Sequence, residues 1–548
     1  MNALSGDLAF LPLGGTGEIG MNLNVYRCDD ALLAVDCGIG FAGRDNPEVD
    51  VMVPDPAWLA DRRDRLVGLV ITHAHEDHIG AVVHLWRQFR CKVFATPFAA
   101  TVLTRKLTEA GMAQEVPLVV TQPRTRFRLG PFDCEYIPVT HSIPEAQALA
   151  IRTRHGIVLH TGDWKLDPDP LIGPRTDEAA FAALGEEGVL AMVCDSTNAM
   201  VEGHSGSEAE VRRNLAALVR SLDGRVAVTG FASNVARLES IALAGRAAGR
   251  QVSLFGRSLR NIEQAARDCG YLKSIPPFVP EDEAGYLPDE EILLICTGSQ
   301  GEARSAMAKI AEDTHPNIAL GEGDTVIFSS RRIPGNERAI QRIQDGLARR
   351  GCRVMTDEDH MVHVSGHPAR DELKRLYALV KPRFAVPVHG EWRHMQDHAD
   401  LAEDCGATPF LIEDGDVLRL SGNRPEVVES VPAGKLAVDV DRLVPMDGAI
   451  LAARRRMMFN GVVVASLAVD VQGRLLGEPQ IAAPGLFDAG DAEPALIAAD
   501  LRQAVAALPA ALKREDDALR EAIRGALRKA VSRRLRKRPT VEVHLLRV

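Results

Sequence analysis

No two cysteines of this 548-residue sequence stand in a C-x-x-C pair. The nine are scattered at Cys28, Cys37, Cys91, Cys134, Cys194, Cys269, Cys296, Cys352 and Cys405. An odd, scattered set excludes a disulfide framework and fits reduced, buried thiols in a cytoplasmic protein. No apolar run reaches the roughly 18 residues of a membrane span. The opening "MNALSGDLAFLPLGG" lacks a basic stretch leading into a long apolar one, so neither a leader nor a membrane contact is expected. There is no long low-complexity segment. An excess of positive charge is also missing: the formal net charge is -11, which argues against general nucleic-acid affinity but leaves room for a local basic groove. One such concentration exists. "RGALRKAVSRRLRKR", residues 524–538, holds eight Lys or Arg and no acid, as either a solvated helix face or a surface for a polyanion.

With 46% hydrophobic residues, a chain of this length predicts two to four domains. From Leu8 to about Val193, short apolar runs stop at Gly, Asp, His or Thr ("ALLAVDCG", "RLVGLVITHAH", "CEYIPVTHS", "GIVLHTGD", "VLAMVCDS"), alternating with helical patterns such as "IGAVVHLWRQF". These read as strands with chemistry at their ends. From Ser207 to Arg350, three strand-to-helix units ("RVAVTGF…", "ILLICTGSQ…", "DTVIFSS…") predict a doubly wound parallel sheet. The first style returns at Val354. The expected division is therefore 1–205 and 353–417 as one split domain, 206–352 as an insertion, 418–447 as a linker, and 448–548 as a small α/β domain. That last domain would have strands in "GAILAARRRMMFNGVVVASLAVD" and a closing strand "TVEVHLLRV".

"GGTGEIG" places Gly15, Gly17 and Gly20 in dinucleotide-fingerprint spacing, but the next residues, "MNLNVYRC", are strand-like, whereas the fingerprint needs a helix N-terminus. A turn between the first two strands is the better reading. "ITHAHEDHIG", residues 71–80, is different. His73 and His75 fall on one side of a strand end, and Asp77 and His78 come next on the turn that opens a helix. Four such ligands crowd one tetrahedral ion and suit two neighbouring ones. His141, Asp163 and His389 stand at later strand ends. His84, His155, His315, His394 and His398 read as core or surface histidines, His160 as supporting, and Glu76 as pointing away.

The order of Asp36 in "LAVDCG", the H-x-H-x-D-H run, and then His, Asp and His resembles the metallo-β-lactamase superfamily. The resemblance implies an αββα sandwich in which His73, His75 and His141 hold one Zn²⁺, Asp77, His78 and His389 a second, and Asp163 bridges them. Mn²⁺ is the alternative ion. Asp36 would orient a ligand from outside the coordination sphere. Two such ions activate a water and clamp an anionic transition state, with Asp77 part of that machinery.

More than 200 residues separate Asp163 from His389. That gap resembles the β-CASP subgroup, which acts on nucleic acids and closes an inserted α/β domain over the site. Asp195 in "VCDSTNA" and His367 in "HVSGHPAR" match its other motifs; His367 is expected as general acid or phosphate donor, oriented by Asp195. "GGTGEIGMN", "THAHEDHIG", "CDSTNA", "FASNVARL", "TGSQGE", "IPGNE", "HVSGH" and "PVHGEWRH" together resemble the bacterial ribonuclease J family. That implies 5′-to-3′ exonuclease and endonuclease action on single-stranded, 5′-monophosphorylated RNA, leaving 5′-phosphate ends. A phosphate site is expected from Ala232, Ser233 and Asn234 facing His363, Val364, Ser365, Gly366 and His367; "FASN" also reads as an N-cap with a helix start, and the two readings are compatible. Arg331 and Arg332 stand where the family is expected to have smaller or polar residues.

The resemblance also implies a homodimer or homotetramer and a role in RNA maturation and mRNA decay, with RNA-decay or ribosomal assemblies as partners. Of three other functions, two would leave different marks on the sequence. A small-molecule lactonase or thioesterase would lack the insertion and His367, a scaffold would have lost ligands, and a DNA-directed β-CASP nuclease would share every motif.

Overall fold

The computed structural model describes residues 6–43, 46–333, 335–488 and 490–548. Residues 1–5, which begin the segment read for a leader, and Pro334 of "IPGNE" lie outside them. The chain divides into two compact units, 1–45 with 51–435, and 46–50 with 436–548.

In the first unit, two large sheets pack face to face. An eight-stranded sheet contains Leu8–Gly14, Leu23–Cys28, Ala31–Val35 and Leu66–Val70 in its middle. A seven-stranded sheet contains Phe132–Pro138, Gln147–Thr153, Gly156–His160, Val189–Asp195 and Phe384–Val388. Leu8, Phe10, Tyr26, Val35 and Val70 from one meet Tyr136, Leu149, Val158, Val193 and Val386 from the other in a single buried core. The second sheet's opposite face, with Leu159, Met192 and Ala385, is covered by helix residues Phe181, Leu184, Leu373, Leu376, Tyr377 and Leu401. This is the expected layering of helices outside a two-sheet sandwich, and it arises from strands that are apolar on both sides.

The pairing decides where chemistry collects. Gly156–His160, Val189–Asp195 and Phe384–Val388 run parallel to each other, and Ala31–Val35 runs parallel to Leu66–Val70. Their carboxyl ends, and the loops carrying Asp163, Asp195, His389, Asp36 and His73, therefore open on one rim, where parallel sheets place ligands.

The insertion has its own parallel sheet, in the order Gln251–Phe255, Ile292–Cys296, Val226–Thr229, Thr325–Phe328, Arg353–Met355. It has five strands rather than three, and the last crosses the expected boundary at 352, because Arg353–Met355 pairs with Thr325–Ile327.

Two stretches depart from expectation. Residues 418–447 are not simply a linker: Asp416–Arg419 and Glu426–Ser430 add two strands to the edge of the eight-stranded sheet, with Ala9 and Phe10 opposite Arg419 and Leu418. The largely exposed Glu426–Ser430 carries no alternation that would have revealed it. In the second unit, Ala449–Asn460 is a helix and only Val462–Val469 a strand. Ala, Leu, Arg and Met favour helix, Gly461 at φ 74° ends it, and the β-branched run begins after it. Thr540–Arg547 pairs parallel with Val462–Val469. Their inner face packs on the helices Glu493–Ala506 and Asp516–Leu535 through Val463, Leu467, Ile497, Leu501, Ile523, Leu527 and Val541. No disulfide joins the described cysteines, and no helix among the described residues is long and apolar enough to cross a membrane.

Candidate metal centre

Leu66–Val70 delivers the chain to the rim, and after His75 the backbone turns into the short helix Glu76–Ile79. That helix packs under the loop after Val35, with Cys37 N–H donating to the His78 carbonyl and Ile39 N–H to that of Glu76. The approach demands Gly38, since a Cβ there would lie 1.6 Å from the Asp77 carbonyl oxygen. Asp36 and His389 both take left-handed backbone conformations, φ 62° and 52°, which residues with a Cβ rarely adopt.

Two ligand sets result. His73 Nε2 lies 3.1 Å from His75 Nδ1, which lies 3.0 Å from His141 Nε2; Asp163 Oδ2 is 3.7 Å from both Nε2 atoms. In the second set, Asp163 Oδ2 is 3.3 Å from His78 Nε2, and Asp77 Oδ2 is 3.6 Å from His78 Nε2 and 3.1 Å from His389 Nε2. The sets share one residue, Asp163. All seven residues named for metal thus converge.

The donor chemistry fits cations. Three imidazole nitrogens about one hydrogen bond apart repel unless something positive lies between them, and the buried Asp163 Oδ1 has no hydrogen-bond partner. Burial, helped by the His78 ring, holds His73 well below its ordinary pKa. Burial also pushes His75 down to about 4 and, with the His75 ring, holds His141 well below its ordinary value. These shifts favour the neutral ring, the form that can bind a metal. For His78 burial again opposes the charged form, but the carboxylates of Asp163, Asp77 and Asp36 outweigh it and hold its pKa well above the usual value. His389 is raised to about 10 in the same way, with Asp163 the leading carboxylate. Burial would raise Asp163; the rings of His389, His78 and His367 hold it well below the carboxylate range instead. A cation held here would neutralise the same carboxylates.

Each ligand ring is fixed from behind. His73 Nδ1 meets Thr72 Oγ1 at 3.0 Å, His75 Nε2 meets Ser142 Oγ at 3.4 Å, His141 Nδ1 donates to the Gly366 carbonyl at 2.6 Å, and His389 Nδ1 meets Thr197 Oγ1 at 2.9 Å. Asp36 Oδ2 accepts from His78 Nδ1 and from Thr72 Oγ1, both at 2.8 Å, and its Oδ1 accepts from Thr72 N–H at 2.8 Å. Such outer contacts set the tautomer and orientation of a ligand. The hydroxyls of Thr72, Ser142 and Thr197 were not anticipated from sequence; only their position next to or near a strand-end His or Asp could have flagged them.

The remaining predicted residues lie beside the sets. His367 Nδ1 is 2.8 Å from Asp195 Oδ2, and the ring is stacked 5.7 Å from that of His389. Burial opposes a charge on His367, but Asp195, and after it Asp163, raises its pKa above the ordinary value. Ser365 Oγ accepts from Asn198 Nδ2 at 2.7 Å and from His367 N–H at 3.1 Å, leaving its own proton to donate. Val364 is buried against Gly206. A Cβ on Gly366 would lie 2.7 Å from His141 Cε1, so only glycine passes there.

Asn234 caps the helix that begins at Val235. Its side chain accepts from Arg237 N–H at 2.8 Å as an N-cap and donates to Glu208 Oε1 at 3.1 Å, and its own N–H donates to the Phe231 carbonyl. Its side-chain carbonyl and one amide hydrogen serve the fold, and Ala232 and Ser233 before it are half-buried. His363, 3.5 Å from Arg237 Nη1, has its pKa pushed down to about 3 by burial and then by that cation.

Sequence reasoning missed Arg237. It is buried, pairs with Glu208 at 2.8 Å, and donates to the carbonyls of Ser329 and Val362 at 2.8 and 3.0 Å, tying the inserted sheet to the loop that carries residues 363–367. Glu76 pairs with Lys106 at 2.6 Å, His160 Nδ1 contacts Tyr26 OH at 2.9 Å, and Arg332 pairs with Glu358 at 3.3 Å.

Family models match four stretches of the chain: a beta-lactamase superfamily domain at residues 33–210, a ribonuclease J beta-CASP domain at 223–347, a Zn-dependent metallo-hydrolase RNA specificity domain at 352–411, and a ribonuclease J C-terminal domain at 449–548. A ribonuclease J of Sinorhizobium meliloti is 44% identical over 99% of this chain and 98% of its own length. The chain belongs to the ribonuclease J family. Other members include a ribonuclease J of Synechocystis, 40% identical over 87% of this chain and 76% of its own, and ribonuclease J 1 of Streptococcus pyogenes, 35% identical over 95% and 93%. A crystal structure of a protein of unknown function from Enterococcus faecalis, 17% identical, covers 76% of this chain and all of its own with a TM-score of 0.54, a likeness of fold alone. Membership makes this chain a hydrolytic nuclease of the metallo-β-lactamase superfamily.

Proposed function

We propose that the protein is a cytoplasmic ribonuclease that hydrolyses RNA phosphodiesters, degrading single-stranded RNA from a 5′-monophosphate end and also cutting internally, in RNA maturation and mRNA decay. The observation that carries the reading is the pair of ligand sets sharing Asp163, flanked by His367 on Asp195, in a chain of the ribonuclease J family. His73, His75 and His141 would hold one Zn²⁺, Asp77, His78 and His389 the other, with Asp163 common to both and Mn²⁺ the alternative. When bound, the cations supply an acidified water and a positive clamp for the phosphate. Asp36 holds the His78 ring in its ligand tautomer. His367, kept protonated by Asp195, delivers a proton to the leaving 3′-oxygen, so products carry 3′-hydroxyl and 5′-phosphate ends.

For the 5′-phosphate the groups on offer are the Ser365 hydroxyl proton, the backbone amides of Ser365 and Gly366, and the helix start at Ala232, Ser233 and Asn234; the His367 ring is kept for the leaving oxygen. Donors of this kind, facing one another, would suit a phosphate. His363 and Val364 shape that loop from behind. The same reading includes the split domain, its second part now beginning after Met355, the insertion of about 206–355, a C-terminal domain from 448, and self-association as a dimer or tetramer. The test is cleavage by the purified protein of 5′-monophosphorylated and 5′-triphosphorylated RNA and of matching DNA, with and without chelator. Chelator-sensitive cleavage that favours the monophosphorylated RNA is expected; cleavage of DNA alone, or none, overturns the reading.

A further inference from the structure

The second unit carries a charged surface that the proposed reaction does not use. Helix Asp516–Leu535 spends its apolar face on the core through Leu519, Ile523, Leu527, Ala530 and Val531. Its solvent face has two halves of different character. In the first, charges of both signs pair within the helix: Arg520 with Asp517 and Arg524 with Glu521, each at 2.6 Å. That is an ordinary solvated face.

Beyond Arg524 the face has one sign. Arg528 reaches Glu521 only at 3.9 Å, and Arg534 is taken by Asp500 at 2.7 Å. Lys529, Arg533, Arg536, Lys537 and Arg538 are exposed and make no ion pair among the described residues. The helix C-terminus favours cations in its last turn, which accounts for Arg533 and Arg534. It does not account for Arg536, Lys537 and Arg538, which lie beyond the helix, where Arg536 turns the chain at φ 52°. Five unpaired like charges within residues 529–538 repel one another, in a chain whose net charge is -11. A polyanion relieves that repulsion. A lipid surface is the poorer match, because membrane-surface helices offer their apolar face and this one has none to offer.

We propose that Lys529, Arg533, Arg536, Lys537 and Arg538 form a phosphate-binding surface for the body of a single-stranded RNA, made of residues that take no part in the metal centre. The proposal rests on RNA being the substrate. It makes affinity grow with RNA length and makes that gain sensitive to salt, since each neutralised phosphate of a single strand contributes a slope of about 0.7 in log K against log salt.

The test uses the full chain with its metals and measures binding by fluorescence anisotropy to 5′-phosphorylated, phosphorothioate-linked RNA of about 5 and about 40 nucleotides, the first enough for the metal centre alone and the second with a long body to spare. Changing Lys529, Arg533, Lys537 and Arg538 together to Gln is expected to weaken binding of the long RNA about 10-fold or more and to lower its salt slope by about 2 to 3. Binding of the short RNA and the unfolding temperature should stay unchanged. The paired-arginine control, Arg520→Gln with Arg524→Gln, should leave both RNAs bound as before, and Lys529→Arg with Lys537→Arg should retain full affinity. Wild-type affinity and slope in the four-site variant overturn the proposal; so does tighter binding to vesicles rich in anionic lipid than to the long RNA. Because the readout is binding, a wild-type protein that holds long RNA through this surface yet cleaves none refutes the proposed function and leaves the surface standing.

Discussion

Replacing Asp36 by Asn tests whether the second ligand set is a metal site held from behind. The change is nearly isosteric, and Asn tolerates the left-handed backbone at φ 62° as well as Asp does, so the fold should persist. What changes is the donor balance. Asp36 accepts three hydrogen bonds, from His78 Nδ1, Thr72 Oγ1 and Thr72 N–H, each at 2.8 Å. An amide can keep its oxygen on only part of that set. Its NH₂ then faces His78 Nδ1 or the threonine, and a proton forced onto His78 Nε2 removes the lone pair a cation needs. Loss of such an outer partner costs about 10- to 100-fold in metal affinity, or about 1.4 to 2.8 kcal/mol. Calorimetric titration of the metal-free variant with Zn²⁺ against a competing chelator should show that loss, largest for the site containing His78 and smaller for the site of His73, which shares Thr72. Unchanged affinity at both sites in a folded variant would refute the role given to Asp36.

The same geometry sets three further outcomes. His367 carries a pKa raised by Asp195 and then Asp163 against burial, so it is protonated below that value, and kcat should fall as pH rises through it. Asp195→Asn should move that alkaline limb to lower pH, and His367→Ala should lower kcat by about 10²- to 10⁴-fold with metal content intact. Arg237→Met strands the buried Glu208 carboxylate and should cost about 3 to 5 kcal/mol by denaturant unfolding; a double variant with Glu208→Gln that is no better would contradict the pairing. Gly366→Ala drives a Cβ to 2.7 Å from His141 Cε1. A crowding cost of about 1 to 3 kcal/mol and weaker metal binding at the His141 site should both appear in thermal and metal titrations.

The grouping of the candidate metal ligands was legible because these residues stand at strand ends. His73 to His78 are contiguous, and His141, Asp163 and His389 each come after a short apolar run that could only be a buried strand. The parallel register that brings Asp163, Asp195 and His389 to one rim is a long-range property, and sequence spacing pointed to it only through the family resemblance. The features that escaped had no local signature. Glu208 and Arg237 read as ordinary charged residues in the first turns of two helices, yet both are buried across the junction between sheet and loop. Thr72, Ser142 and Thr197 are ordinary hydroxyls until a histidine ring is placed against them. The strand Glu426–Ser430 reads as linker because an exposed edge strand needs no apolar alternation, and Ala449–Asn460 reads as strand because its helix formers run directly into the valines after Gly461.

The central claim is hydrolysis of an RNA phosphodiester by water at the two ligand sets, without the 2′-hydroxyl as nucleophile. Cleavage of RNA in ¹⁸O-enriched water, with mass analysis of the ends, tests it most directly. Attack by water predicts one ¹⁸O in the 5′-phosphate of each newly formed end and a 3′-hydroxyl on its neighbour. Ends bearing 2′,3′-cyclic phosphate, or 5′-phosphates without the label, would contradict it.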